Sequence, residues 1–327
     1  MQIRPAREGS IEMVIAFREG HGALPTLTGV APIAPTPFKD TGDVDLEGQR
    51  RVMDCMVDQG VDAICILANY SEQFALTDSE RRAVLDACLD AVAGRVPVIV
   101  TVSHFATRVA CDRARDAASA GASMLMLMPP YHGATLRADE GQVIEHFAAV
   151  AGASGLPIMV QDAPMAGTPM TVPFLVRLGA AVPLVRAFKV EVAGAATKLR
   201  ALIEAGGSAI VEPFDGEEGI TLMADLDAGA TGTMPSAMIP DLIRPVVMAH
   251  LAGDRLAASA GYARLLPLIN FENRQCGLRA TKAVFRAGGV IASDAVRHPL
   301  MPLHPAIHAG LMELVQEVNP LALRWGR

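Results

Sequence analysis

Lys189 stands at the end of an apolar run, Leu184-Val185-Arg186-Ala187-Phe188, and Val190-Glu191-Val192 follows it. An amine carried into an apolar interior loses solvation, which lowers its pKa and leaves a neutral nucleophile able to attack a carbonyl carbon. The position equally suits a surface lysine at a strand end. Glu191 lies two residues on, and a continuing strand would put it on the face of Lys189. A carboxylate there can move protons beside an iminium carbon, or it can simply hold the lysine in an ion pair.

Other polar groups fall where apolar runs stop. Asn69-Tyr70-Ser71-Glu72 follows one run and offers backbone N–H groups and hydroxyls to an anionic substrate group. Tyr131, in Met128-Pro129-Pro130-Tyr131-His132-Gly133, is set to relay a proton, to bind substrate or only to pack. Gln161-Asp162-Ala163-Pro164 and Asp215-Gly216-Glu217-Glu218 follow two more runs. The second of these could accept hydrogen bonds from substrate hydroxyls, or put acidic residues on a helix N-terminus. His304 and His308 have the spacing of a metal pair, but Pro305 would leave His304 outside the helix and no third ligand is near. Ser71 has no evident histidine partner, which argues against a hydrolase triad.

Something must hold these residues at one mouth. From residue 29, short runs rich in Val, Ile, Leu and Met alternate with amphipathic stretches. The predicted strands are Val30–Pro35, Ala63–Ala68, Val98–Val102, Ser123–Met128, Pro157–Gln161, Val185–Lys189, Ser208–Val211 and a short one near Thr231–Thr233. The predicted helices between them are Leu46–Gln59, Asp78–Ala93, Arg108–Ala120, Gln142–Ala151, Val172–Leu178, Ala195–Glu204 and Glu217–Leu226. Gly60, Gly94, Gly121, Gly155, Gly206 and Gly229 precede strands, where left-handed caps belong. Thr77-Asp78-Ser79-Glu80 reads as a capped helix start. Eight such units in about 200 residues predict a closed (β/α)8 TIM barrel, whose active site lies at the C-terminal strand ends. An open doubly wound sheet is the rival, but no Gly-rich dinucleotide turn follows the first strand. Residues 238–327 read as helices only: Pro240–Ala252, Leu256–Leu268, Leu278–Ala287 and Pro305–Val318. The expected organisation is an N-terminal extension over 1–28, which includes a short apolar run at Ile11–Phe17, a barrel over 29–253 and a C-terminal helical extension over 254–327.

Composition narrows the function classes. Of 327 residues, 51% are hydrophobic, enough for a large core. A net charge of −7 argues against nucleic acid or an anionic membrane as partner, and no stretch has the length and apolarity of a membrane span. The five cysteines show no CxxC pair, a poor disulfide framework or zinc site, and a reducing cytoplasm is the simpler expectation.

Taken together and in this order, the loops resemble those of the dihydrodipicolinate synthase and N-acetylneuraminate lyase family, over about residues 29–320. Lys189 matches the family's Schiff-base lysine, Asn69-Tyr70-Ser71-Glu72 its carboxylate-binding turn, and Asp215-Gly216-Glu217-Glu218 its Gly-Asp-Asp-like loop. Longer strings are similar to a branch that dehydrates 2-keto-3-deoxy sugar acids: Ile66-Leu67-Ala68-Asn69-Tyr70-Ser71-Glu72-Gln73-Phe74, Met128 to Arg137, Phe271-Glu272-Asn273-Arg274-Gln275-Cys276-Gly277 and Leu323-Arg324-Trp325-Gly326-Arg327.

The resemblance implies a homotetramer acting on a small 2-keto acid, with no cofactor beyond the covalent Schiff base on Lys189. It implies dehydration of 2-keto-3-deoxy-L-arabonate to 2-oxoglutarate semialdehyde, with Lys189, Glu191 and Tyr131 catalytic and Asn69, Tyr70, Ser71, Gln161, Gly216 and Glu217 binding substrate. One position departs from the family pattern. Gln161 replaces its proton-relaying tyrosine, and an amide is neither acid nor base near neutral pH. Glu191 becomes the expected proton carrier. A class I aldolase on the same Schiff base, and a barrel that only binds sugar acids, are the alternatives.

Overall fold

The computed structural model describes residues 26–132, 136–164 and 168–327. The expected extension up to residue 25, including Ile11–Phe17, lies outside the described residues, as do Gly133, Ala134 and Thr135.

Eight parallel strands form one sheet: β1 (Gly29–Val30), β2 (Ile64–Ile66), β3 (Val98–Thr101), β4 (Met124–Leu127), β5 (Ile158–Asp162), β6 (Val185–Val190), β7 (Glu212–Asp215) and β8 (Gly232–Thr233). Each pairs with its sequence neighbour in the barrel, and β8 pairs with β1. The β1–β2 seam is made differently. Pro32 has no N–H to give a ladder, so β1 stops after two residues, and Ile33 forms parallel bridges to both Cys65 and Ser236. The ring therefore closes, and the open-sheet alternative is excluded.

Strand periodicity sorts the side chains. Ile64 and Ile66, Val98 and Val100, Leu125 and Leu127, Ile158 and Val160, and Phe188 and Val190 pack into the layer shared with the helices. Cys65, Ile99, Met124, Met126, Met159, Ala187, Phe214 and Met234 fill the separate inner core. Continuing that alternation, Gln161 follows Met159 and Lys189 follows Ala187 into the barrel. The register sets Gln161 directly beside Lys189.

The outer ring comprises α1 (Leu46–Asp58), α2 (Asp78–Val92), α3 (Thr107–Ala120), α4 (Glu140–Ser154), α5 (Val172–Ala181), α6 (Ala195–Gly206), α7 (Leu222–Asp227) and α8 (Pro240–Leu251). Helix α2 shows how the local code works. Thr77 Oγ1 accepts from the Glu80 N–H, Glu80 accepts from the Thr77 N–H, and Val84, Leu85, Cys88 and Val92 supply the buried stripe. Gly60, Gly94, Gly121, Gly155 and Gly229 take the expected positive φ; at the end of α6 the positive φ falls on Gly207, not Gly206, with ψ −129° outside the left-handed helical region.

The seventh unit needs two corrections. The apolar residues expected as strand Ser208–Val211 lie in a 3-10 turn and its exit, and the strand is Glu212–Asp215. Its polar ends are buried because they are bonded. Glu212 Oε1 accepts from the Leu27 N–H at 2.8 Å and from Arg186 at 3.0 Å, and Asp215 accepts from the Thr233 hydroxyl. The helix expected from Glu217 begins only at Leu222, because Glu218 and Gly219 both adopt positive φ and form a turn.

Helices α9 (Arg255–Phe271), α10 (Arg279–Ala287) and α11 (Pro305–Val318) form the C-terminal extension. His304 lies just outside α11, where its Nδ1 accepts from the Ala306 N–H at 3.2 Å. The extension reaches back to both mouth loops. Tyr262 donates its hydroxyl hydrogen to the carbonyls of Gly219 and Ile220. Fully buried Lys282 donates to the Glu72 carboxylate and to the Ala295 carbonyl, 4.2 Å from the centre of the Phe38 ring. The Arg297 N–H donates to the other Glu72 oxygen at 3.1 Å. Glu72 itself has φ 56°, a conformation that costs a non-glycine residue strain and persists because its carboxylate is held from two sides.

Removing one partner of a buried ion pair leaves the other charge stranded, which costs about 3–5 kcal/mol. Lys282→Met should lose that much in chemical denaturation. The double variant Glu72→Gln/Lys282→Met should lose less than the two single losses added together. Unchanged stability in Lys282→Met would show that the pair does not hold the extension to the barrel.

Candidate active site

A cavity of about 290 Å³ opens at the C-terminal strand ends, with Lys189 at its base. Lys189 is 2% exposed, and its Nζ pairs with Glu191. Glu191 lies one residue beyond β6, but its N–H still donates to the Asp162 carbonyl at 2.9 Å, so the alternation carries its side chain to the face of Lys189. Glu191 Oε2 accepts from Gln161 Nε2 at 3.1 Å. The adjacent amide therefore aims and anchors the carboxylate while exchanging no proton itself.

The expected neutral lysine is corrected here. Burial alone pushes the Lys189 pKa down, but the facing Glu191 carboxylate foremost outweighs it and holds the amine above its ordinary value. The resting nucleophile is an ammonium ion. It must hand a proton to Glu191 before it can attack.

The β7 loop closes over this pair. Gly216 is required by close approach: a Cβ there would stand 2.5 Å from Glu191 Cγ and 2.8 Å from Lys189 Cγ. Glu217 lines the cavity half-buried, 3.8 Å from Arg274. Glu218 is 7% exposed, at φ 53°, and its Oε2 accepts from Asn273 Nδ2 at 3.0 Å. The Tyr70 hydroxyl is hydrogen-bonded to the same carboxyl group. Burial raises the Glu218 pKa well above the carboxylate range, and Glu191, Glu272 and Asp215 reinforce this against the opposing effect of Lys189. Beneath it, fully buried Glu272 is pushed by desolvation up to about 7.

Asn69, Tyr70, Gln161, Lys189, Glu191, Gly216 and Glu217 thus line one cavity. Two expected site residues are not brought there. Ser71 is buried, with its hydroxyl donating to the Ala34 carbonyl at 2.6 Å and accepting from the Ala68 N–H, so it shapes the turn. Tyr131 lies outside the lining, packed edge-on against Phe74 at 5.8 Å between ring centres.

Glu218 and Asn273 were missed as site residues. Both belong to strings singled out above: Glu218 lies in the loop open either to substrate hydroxyls or to a helix N-terminus, and Asn273 lies in the C-terminal extension. The five-residue π-turn at Glu272–Cys276 turns Asn273 toward the mouth. Among the described residues, no group of three His, Cys, Asp or Glu side chains could hold a metal ion. All five thiols are buried and unpaired, and burial pushes Cys65, beneath the lysine, up to about 12, far from a thiolate nucleophile.

Comparison with known proteins adds lineage to this geometry. The sequence profile of the dihydrodipicolinate synthetase family matches residues 26–318. The L-2-keto-3-deoxyarabonate dehydratase of Azospirillum brasilense is 52% identical over 303 residues, covering 93% of this chain and 98% of that protein. A 4-hydroxy-tetrahydrodipicolinate synthase of Kineococcus radiotolerans is 30% identical, covering 88% and 95%. The crystal structure of the dihydrodipicolinate synthase of Rhodopseudomonas palustris superposes with a TM-score of 0.81 at 27% identity, covering 89% of this chain and 97% of that one.

The Glu272 shift has a sign that can be tested. An acid whose pKa rises from 4.5 to about 7 on folding binds its proton more tightly in the native state. Its contribution to stability is complete below about pH 4.5 and is lost as pH climbs through 7, a difference of about 3 kcal/mol. Thermal unfolding should find Glu272→Gln close to wild type at pH 4.5 and progressively more stable than it toward pH 8. A stability difference independent of pH would refute the shift.

Proposed function

The chain belongs to the dihydrodipicolinate synthetase family, and from that premise we propose that it is a Schiff-base hydro-lyase converting 2-keto-3-deoxy-L-arabonate to 2-oxoglutarate semialdehyde and water. The observation that carries the chemistry is the buried Lys189 amine held against Glu191 at the barrel mouth. The substrate assignment rests on similarity to the Azospirillum brasilense dehydratase.

The steps follow from the groups present. Glu191 takes a proton from the Lys189 ammonium, and the freed amine adds to the C2 ketone. Glu191 returns that proton to the carbinolamine hydroxyl, which departs as water and leaves an iminium, whose positive charge acidifies the C3 protons. Glu191 removes one of them, forming an enamine, and the enamine expels the C4 hydroxyl as water. Loss of a C5 proton then gives a dienamine that is also an enol. Protonation at C4 releases the aldehyde, protonation at C3 restores the iminium, and hydrolysis frees Lys189. The iminium is the electron sink throughout, so the sequence needs neither metal nor organic cofactor. In this reading the Asn69–Tyr70 turn and Gln161 orient the keto acid, and Gly216 and Glu217 face its hydroxyl end. Tyr131, away from the cavity in this chain, has no assigned step.

Pentose breakdown and a cytoplasmic setting accord with this substrate and with five unpaired buried thiols. Among the described residues, no helix is long and apolar enough to cross a membrane. A homotetramer is proposed from family likeness, and exposed apolar side chains such as Phe74 and Leu256 suit contacts between copies.

Lys189→Ala should abolish both turnover and borohydride trapping. Glu191→Gln keeps the shape but loses proton transfer, and should release semialdehyde about 10²–10⁴-fold more slowly. Product analysis separates the alternatives: pyruvate plus glycolaldehyde would indicate an aldolase, and no product a binding barrel. Trapped substrate on any lysine other than Lys189 would sink the assignment. Light scattering at micromolar concentration should give four times the chain mass, and a monomer would refute the tetramer.

A further inference from the structure

Expelling hydroxide from C4 requires a proton donor, and Glu191 is poorly suited to be that donor. One of its oxygens faces the Lys189 ammonium and the other accepts from the Gln161 amide. Both contacts hold the carboxyl group at the lysine nitrogen, beside the C3 carbon it deprotonates. Glu218 comes from a different loop and reaches the same cavity with a different set of partners. Its carboxyl group has two neutral ones, the Tyr70 hydroxyl and the Asn273 amide. Lys189 draws its pKa down, while Glu191, Glu272 and Asp215 add to burial in pushing it up.

We infer that Glu218 is the general acid that protonates the departing C4 hydroxyl, an inference that rests on the dehydratase reading above. The turn is built to present this side chain. Gly216 lets the loop lie on the lysine, Glu218 takes a left-handed backbone conformation that a non-glycine residue rarely adopts, and Tyr262 bonds the carbonyls just beyond it. Burial, opposed by Lys189, raises the carboxyl group well above the ordinary carboxylate range, the direction a proton donor requires.

The step balances. Glu191 takes the C3 proton, and the C–H electrons make the C2=C3 enamine. These electrons then form C3=C4, and the iminium returns. The C4–O bond breaks with its electron pair on oxygen, and the Glu218 proton joins that oxygen to complete water. Before the step the charges are the iminium cation and the Glu191 anion. Afterwards they are the unsaturated iminium cation and the Glu218 anion.

The test compares two leaving groups in Glu218→Gln. With 2-keto-3-deoxy-L-arabonate, turnover should fall about 10²–10⁴-fold. With the analogue carrying fluorine in place of the C4 hydroxyl, fluoride departs without a proton, and its release should stay within about tenfold of wild type. Borohydride trapping of pyruvate on Lys189 in the same preparation should match wild type, showing an intact pocket. Equal losses on both substrates, or near wild-type turnover of the hydroxyl substrate, would overturn the assignment. If Glu218→Gln does not fold, Glu218→Asp serves, with a selective loss on the hydroxyl substrate again expected and equal losses again fatal. Failure of the dehydratase reading looks different: wild-type protein would then form no semialdehyde from the sugar acid.

Discussion

One ammonium ion shares a closed, poorly solvated barrel mouth with more carboxyl groups than it can neutralise. Lys189 faces Glu191 directly, and Glu218, Asp215 and Glu272 are buried around them. Low-dielectric surroundings make each uncompensated charge costly, so the cluster divides its protons. The lysine keeps one, Glu191 becomes its counter-ion, and Glu218 retains a proton as a neutral acid. A protonated lysine beside a carboxylate base is the starting condition for Schiff-base formation at this site. The nearby neutral acid holds the proton needed later.

That arrangement is only as good as its scaffolding. The barrel supplies the first part through strict alternation, which turns Gln161 and Lys189 inward side by side. The loops supply the second, and they are not self-supporting. The β2 loop carries a strained Glu72 and the β7 loop a strained Glu218, each tied down by the C-terminal extension. Tyr262 and Asn273 hold one loop, and Lys282 and Arg297 the other. The extension is thus part of the site, although it brings none of the groups that attack or deprotonate substrate.

What the sequence revealed and what it concealed have a common physical origin. Runs such as Val98–Thr101 and Met124–Leu127 are apolar on both faces, as barrel strands must be, and their positions were legible. So was Lys189, a charge ending such a run. Strand β7 was not, because Glu-Pro-Phe-Asp looks like a loop until Leu27, Arg186 and Thr233 are seen to bond one oxygen of each end. The turn at Glu218 was hidden because acidic residues after a strand usually begin a helix. The protonation of Lys189 differs from the expectation because burial was weighed there without the Glu191 carboxylate two residues on, which outweighs it. Asn273 reaches the mouth from 55 residues beyond Glu218 in the chain, a distance over which no local pattern extends.

The Lys282–Glu72 pair spans 210 residues, and that span sets an order of events during synthesis. Strand β2 and its loop leave the ribosome long before α10 exists. Through that interval Glu72 has no cationic partner, and the turn it anchors has nothing to hold its strained backbone. The mouth is therefore assembled last, when the final helices dock. A half-made chain can carry its nucleophilic lysine among the aldehydes and keto acids of a living cell without yet owning the organised pocket that would make the amine reactive toward them.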